Sequence, residues 1–135
     1  MVDRKPKILC ADDDEGWQAL LSLWLRPHCE LGICASGAEV LARVQGFRPD
    51  CIVLDYELGD ARGSDICARI KAQPDLSATP VVILTNLAPS LFSALKEGGA
   101  DHFVVKSAQP DELLAVLEGL LGARGFATSW SGGRP

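Results

Sequence analysis

The sequence lacks most of what marks a membrane-spanning, secreted or nucleic-acid-binding chain. No window approaches the roughly 18 uninterrupted apolar residues that a membrane span needs. Met1 to Lys7 is charged, with no apolar core behind it, so no secretory signal is expected. Cations are scarce: 13 Lys and Arg against 18 Asp and Glu leave a formal charge of −5, which repels nucleic-acid phosphates and anionic membranes alike. Direct contact with either is not expected. The cysteines, Cys10, Cys29, Cys34, Cys51 and Cys67, are odd in number and contain no Cys-x-x-Cys pair, which argues against a disulfide framework or a zinc knuckle. Cys10 and Cys51 lie in apolar runs and should pack as small hydrophobes. The two histidines, His28 and His102, are far apart and lack ligand-like companions. The expectation is a soluble, cytoplasmic protein in a reducing compartment. At 135 residues a single domain, with no second one beside it, is the expectation.

What is present is a regular alternation of short apolar runs and helical periodicity. Ile8 to Ala11 is too short for a helix, is cut off by Asp12, Asp13 and Asp14, and reads as a buried strand. From Glu15 to Arg26 the apolar residues Trp17, Leu20, Leu21, Trp24 and Leu25 follow helical spacing, and Pro27 closes the segment. Leu31 to Ala35 is a second strand. Ser36 and Glu39 form a capping box for a helix running to about Gly46. Cys51 to Leu54 is a third strand with Asp55 at its end, followed by a loop and a helix over Ser64 to Lys71 that ends before Pro74. Val81 to Leu84, a helix over about Ser90 to Glu97, Phe103 to Val105, and an amphipathic helix starting at Pro110 complete the series.

Five uniformly apolar strands interleaved with five helices require a parallel sheet covered on both faces, a doubly wound α/β domain over residues 1–122. Residues 123–135 lack acids, are rich in Gly and Ser and read as a flexible tail.

In such a sheet the carboxyl ends of the strands share one edge, where ligands bind. The residues standing there are Asp12 and Asp13, Asp55, Thr85 and Lys106. Three carboxylates so gathered repel one another, and a hard divalent cation and an ammonium keep them ionised. Magnesium suits this set, because it accepts a few carboxylates, retains waters and takes phosphate oxygens. An aspartate beside magnesium, with a lysine and a hydroxyl at hand, can attack phosphorus. Asp55 is the expected nucleophile.

Taken in order, Lys7 to Asp14, Pro49 to Asp55, Gly63, Val82 to Thr85 and Gly99 to Lys106 resemble the receiver domain of two-component response regulators over about residues 7–121. The resemblance implies a flavodoxin-like sheet of strand order 2-1-3-4-5. It also implies phosphorylation of Asp55 by a histidine kinase or histidine phosphotransfer protein, with Mg2+ held by Asp13, Asp55 and the backbone carbonyl of Glu57, and Asp12 assisting through a metal-bound water. Phosphorylation would draw Thr85 toward Asp55 and turn Phe103 inward. The surface around the fourth helix, fifth strand and fifth helix would be reshaped for a downstream effector protein. A homodimer through that face is among the partner expectations. Such a chain is a phosphoacceptor and not an enzyme, beyond weak self-phosphorylation from small donors and self-dephosphorylation.

Four positions depart from the family's commonest pattern: Ser107 follows Lys106 where proline is usual, Gly59 replaces a frequent proline, Asn86 replaces a small residue beside Thr85, and Glu57 adds a carboxylate. Ser107, Asn86 and Glu57 make a receiver that binds partners without phosphorylation an alternative. An aspartyl-phosphate phosphatase is a second, weakened because that class wants aspartate where Glu57 stands.

Overall fold

The computed structural model describes residues 2–107 and 109–130. Five parallel strands, β1 (Lys7–Ala11), β2 (Glu30–Cys34), β3 (Cys51–Asp55), β4 (Val81–Thr85) and β5 (His102–Val105), lie in the order β2-β1-β3-β4-β5. Between them run α1 (Glu15–Leu25), α2 (Gly37–Phe47) and α3 (Gly63–Lys71), with α4 (Asp111–Ala123) following β5. The doubly wound sheet and its strand order are as expected from the sequence. The segment expected as a fourth α-helix is instead a 3-10 helix, Pro89–Gly98. Apolar spacing does not distinguish i→i+3 from i→i+4 hydrogen bonding.

Strand alternation feeds two cores. Ile8, Cys10, Cys51, Val53, Val82 and Leu84 point to the side of α1 and α4, where Leu21, Leu25, Leu117 and Leu121 meet them. Leu9, Ala11, Ile52, Leu54 and Ile83 point to the other side, against Val40 and Val44 of α2 and Ile66 and Ile70 of α3. Each fully buried leucine or isoleucine contributes roughly 1.5–3 kcal/mol, and both faces are needed because the strands are apolar throughout. All five cysteines are buried in these cores. Burial pushes the Cys29 and Cys51 thiols up to about 12 and Cys67 to about 11, which makes them packing groups rather than nucleophiles.

Carboxylates tie down the amino edge of the sheet. Asp50 accepts hydrogen bonds from the Lys7 N–H at 2.8 Å and from both terminal nitrogens of Arg4 at 2.8 and 3.0 Å. Asp101 accepts from the Val81 N–H at 2.8 Å and from Lys71 Nζ at 2.9 Å.

The expected flexible tail is a packed segment as far as Trp130. Val2 and Phe126 form a parallel bridge, and the Val2 N–H donates to Gly125 O at 2.9 Å. The Trp130 ring stacks on His28 with centroids 4.8 Å apart. Phe126 and Trp130 are both buried against the α1 and α4 side; the apolar surface they cover outweighs the Gly and Ser content that suggested mobility. Residues 131–135 lie outside the described part. Among the described residues, no helix is long and apolar enough to cross a membrane.

Candidate functional site

The carboxyl edge carries the chemistry, and it is assembled locally by the three consecutive aspartates. Asp12 follows β1, almost fully buried, its Oδ1 accepting from the Asp14 N–H at 2.9 Å. Asp13 stands exposed at the rim. Asp14 turns away to cap α1, its Oδ2 accepting from the Trp17 N–H at 2.9 Å. The three neighbours thus take three different tasks, and Gln18 Nε2 holds the turn by donating to Asp12 O at 2.7 Å.

Asp55 ends β3, buried, beside Asp12 and Asp13: one oxygen of each carboxylate lies within 4.8 Å of the others. Lys106 follows β5 and reaches across, its Nζ 2.8 Å from Asp12 Oδ2 and 3.1 Å from Asp55 Oδ2, with its side chain 6% exposed. Its backbone N–H donates to Thr85 O at 2.8 Å. Thr85 is buried at the end of β4, and its Oγ1 accepts from the Leu87 N–H at 3.0 Å; that bond uses a lone pair and not the hydroxyl proton. Asp13, Asp55, Glu57, Thr85, Asn86 and Lys106 line one open cleft of about 700 Å3. The structure therefore brings together the five side chains singled out at the strand ends.

The turn after β3 is closed by the Leu58 N–H to Ala61 O at 3.0 Å and the Gly63 N–H to Tyr56 O at 2.6 Å. Gly59 sits at φ 82° in this turn, a conformation closed to proline and favoured for glycine. Gly63 allows the close approach of α3: a Cβ there would lie 2.5 Å from Asp55 O. Glu57 turns its N–H toward Asp55 Oδ1 at 3.4 Å. No peptide bond among the described residues is cis, so Lys106 meets both aspartates from an all-trans backbone although Ser107 follows it. Phe103 is half-buried, its ring tilted against Phe92 with centroids 5.5 Å apart.

Burial pushes the Asp55 carboxyl up, and the charge on Asp12 adds to this while Lys106 opposes it. For Lys106, burial alone would lower the ammonium, but pairing with Asp12 and Asp55 outweighs it and holds the group ionised. Three carboxylates against one ammonium leave an excess of negative charge. Asp12 Oδ2 is buried and has an ion-pair contact without hydrogen-bond geometry. An all-oxygen, electron-rich set of this kind fits a hard divalent cation.

Two contacts were not expected from the sequence, although Trp17 itself was expected one turn beyond the acidic cluster. Asp60 accepts from the Gly37 and Ala38 N–H groups at 2.9 and 3.0 Å, supplementing the Ser36 cap of α2. Trp17 places its ring 4.7 Å from Lys106 Nζ. Neither contact leaves a spacing signal, since both join residues far apart in the chain.

This polar edge, on a five-stranded parallel sheet of this order, is the arrangement of a receiver-type domain. The chain belongs to the response regulator receiver domain family, whose model matches residues 8–118. It is 33% identical over 123 residues to the DNA-binding response regulator MtrA of Mycolicibacterium smegmatis, covering 90% of this chain and 53% of that protein. Over 120 residues it is 32% identical to the phosphate regulon transcriptional regulatory protein PhoB of Rhizobium meliloti, covering 86% and 52%. The chain spans about half the length of these curated relatives. Among solved structures it resembles the chemotaxis response regulator CheY4 of Vibrio cholerae, with TM-score 0.81, 27% identity and coverage of 87% of this chain and 99% of that one. The receiver domain of a signal transduction histidine kinase from Syntrophus aciditrophicus gives TM-score 0.81 at 28% identity, covering 92% and 96%.

Proposed function

We propose that this receiver domain accepts a phosphoryl group on Asp55 and signals through the resulting change of shape. The observation that carries this reading is the position of Asp55: buried at the strand edge, within 3.1 Å of Lys106 Nζ and grouped with Asp12 and Asp13. The donor is a phosphohistidine on a kinase or phosphotransfer protein. An Asp55 carboxylate oxygen forms the new bond to phosphorus while the donor's P–N bond breaks, its electron pair remaining on the imidazole. Lys106 stays ionised and pairs with the incoming phosphoryl oxygens, and the Thr85 hydroxyl proton is available to the product. Asp13, Asp55 and the Glu57 carbonyl would hold Mg2+, with Asp12 acting through a metal-bound water. When bound, the ion neutralises charge on the transferring group. Phe103, already at the edge of the 3-10 helix through Phe92, would relay the change to the face that includes β5 and α4 for a downstream protein.

The test is incubation with acetyl phosphate in millimolar magnesium, followed by intact-protein mass measurement. A gain of one phosphoryl group that requires magnesium and disappears in Asp55→Asn is expected. Labelling that persists in Asp55→Asn rejects the assignment, and no labelling under any magnesium concentration points to a phosphorylation-independent binding module.

A further inference from the structure

Lys106 has a long, flexible side chain and a choice of acidic partners. It lines the cleft around Asp55. It also lines a second groove, of about 250 Å3, bordered by Trp17, Trp24, Asp111 and Glu112. An ammonium released toward that groove would find two carboxylates there. The residue that follows it, Ser107, lacks the ring that would stiffen the loop, so the direction of the side chain depends on what the ammonium touches.

Trp17 is placed to be that tether. Its ring centroid is 4.7 Å from Lys106 Nζ, within the distance over which an indole face attracts an ammonium. The ring is itself held, edge-on to Trp24 with centroids 6.1 Å apart and planes at 80°. Its backbone N–H is fixed by the Asp14 cap. The ammonium is thus held by Asp12 and Asp55 together with an aromatic face.

We propose that Trp17 is a positioning residue for Lys106: its indole face keeps the ammonium on Asp12 and Asp55 and out of the groove bordered by Asp111 and Glu112. The role rests on the reading of Asp55 as phosphoacceptor. It predicts that Trp17 acts on the chemistry only through Lys106, which separates it from a residue that merely supports the fold.

The experiment measures the rate of phosphorylation by acetyl phosphate at saturating magnesium for the unaltered chain, Trp17→Leu and Trp17→Phe, each also in a Lys106→Met background. Thermal melting shows that the variants fold. Trp17→Leu, which keeps apolar bulk and removes the π face, is expected to slow the reaction about three- to tenfold. Trp17→Phe should restore most of the rate, and Trp17→Leu should add no further loss when Lys106 is already Met. An unchanged rate in Trp17→Leu, or an equal loss in both backgrounds, overturns the proposal. If the unaltered chain takes no phosphoryl group, the Asp55 reading fails, and the fluorescence difference between the chain and Trp17→Phe decides instead. A difference spectrum that changes with Lys106→Met upholds the tether, and one that does not overturns it.

Discussion

Asp50 illustrates how a single carboxylate can hold a sheet together at the edge remote from the chemistry. Burial would raise its carboxyl, but the hydrogen bonds from Arg4 and the Lys7 N–H outweigh this and hold it below the ordinary carboxylate range. A lowered value in the folded state means that the stabilisation is present above the unfolded value, roughly 3.9, and is lost as pH falls through the folded one. Asp50→Asn should therefore cost about 1–2 kcal/mol at pH 7. The gap between variant and unaltered chain in urea unfolding should close progressively as pH drops below about 4. A gap that stays constant down to pH 2 would contradict this account. At this scale the gathering of polar side chains at the carboxyl edge was legible in the sequence. Asp12, Asp13, Asp55, Thr85 and Lys106 each follow an apolar run, and parallel strands bring such residues to one side. Trp17 was not legible as a partner of Lys106, because its spacing with Leu21 and Trp24 already accounts for it as part of a helix stripe.

Among the elements, α2 shows a helix start shared between neighbouring and distant residues. Ser36 accepts from the Glu39 N–H at 3.1 Å, and Glu39 returns a bond to the Ala35 N–H at 2.9 Å, so the expected capping box closes one residue earlier than Ser36. Asp60, from the turn after β3, takes the first two helical N–H groups, and these bonds lower its carboxyl. Asp60→Ala should lower the melting temperature modestly and speed amide exchange at Gly37 and Ala38, read by NMR, while exchange in α1 stays as it was. Equal protection at Gly37 and Ala38 in both proteins would show that Ser36 suffices alone. The box was visible in the sequence because its members lie within one turn; Asp60 was not, because it arrives from 23 residues away. The 3-10 helix was mistaken for an α-helix for a related reason: its limits are marked by Pro89 and Gly98, but its hydrogen-bond pitch leaves no trace in residue spacing.

For the molecule as a whole, the segment after α4 completes the core. Composition alone suggested mobility there, and the two aromatic residues that argue the other way, Phe126 and Trp130, act only in three dimensions, on Val2, Arg4 and His28. Trp130→Ala should reduce unfolding free energy by about 2 kcal/mol, measured by urea titration, and leave acetyl phosphate labelling at Asp55 intact. Undiminished stability would mean that the stacking on His28 adds little.

The pairing of Val2 with Phe126 has a further consequence. Any polypeptide fused before the first strand or after the last helix would depart from nearly the same place, on the side facing away from the aspartates. A fused reporter or effector would start from the end of the sheet opposite Asp55. A change at Asp55 would reach that end only by way of the packing between strands and helices, or by way of the β5 and α4 face.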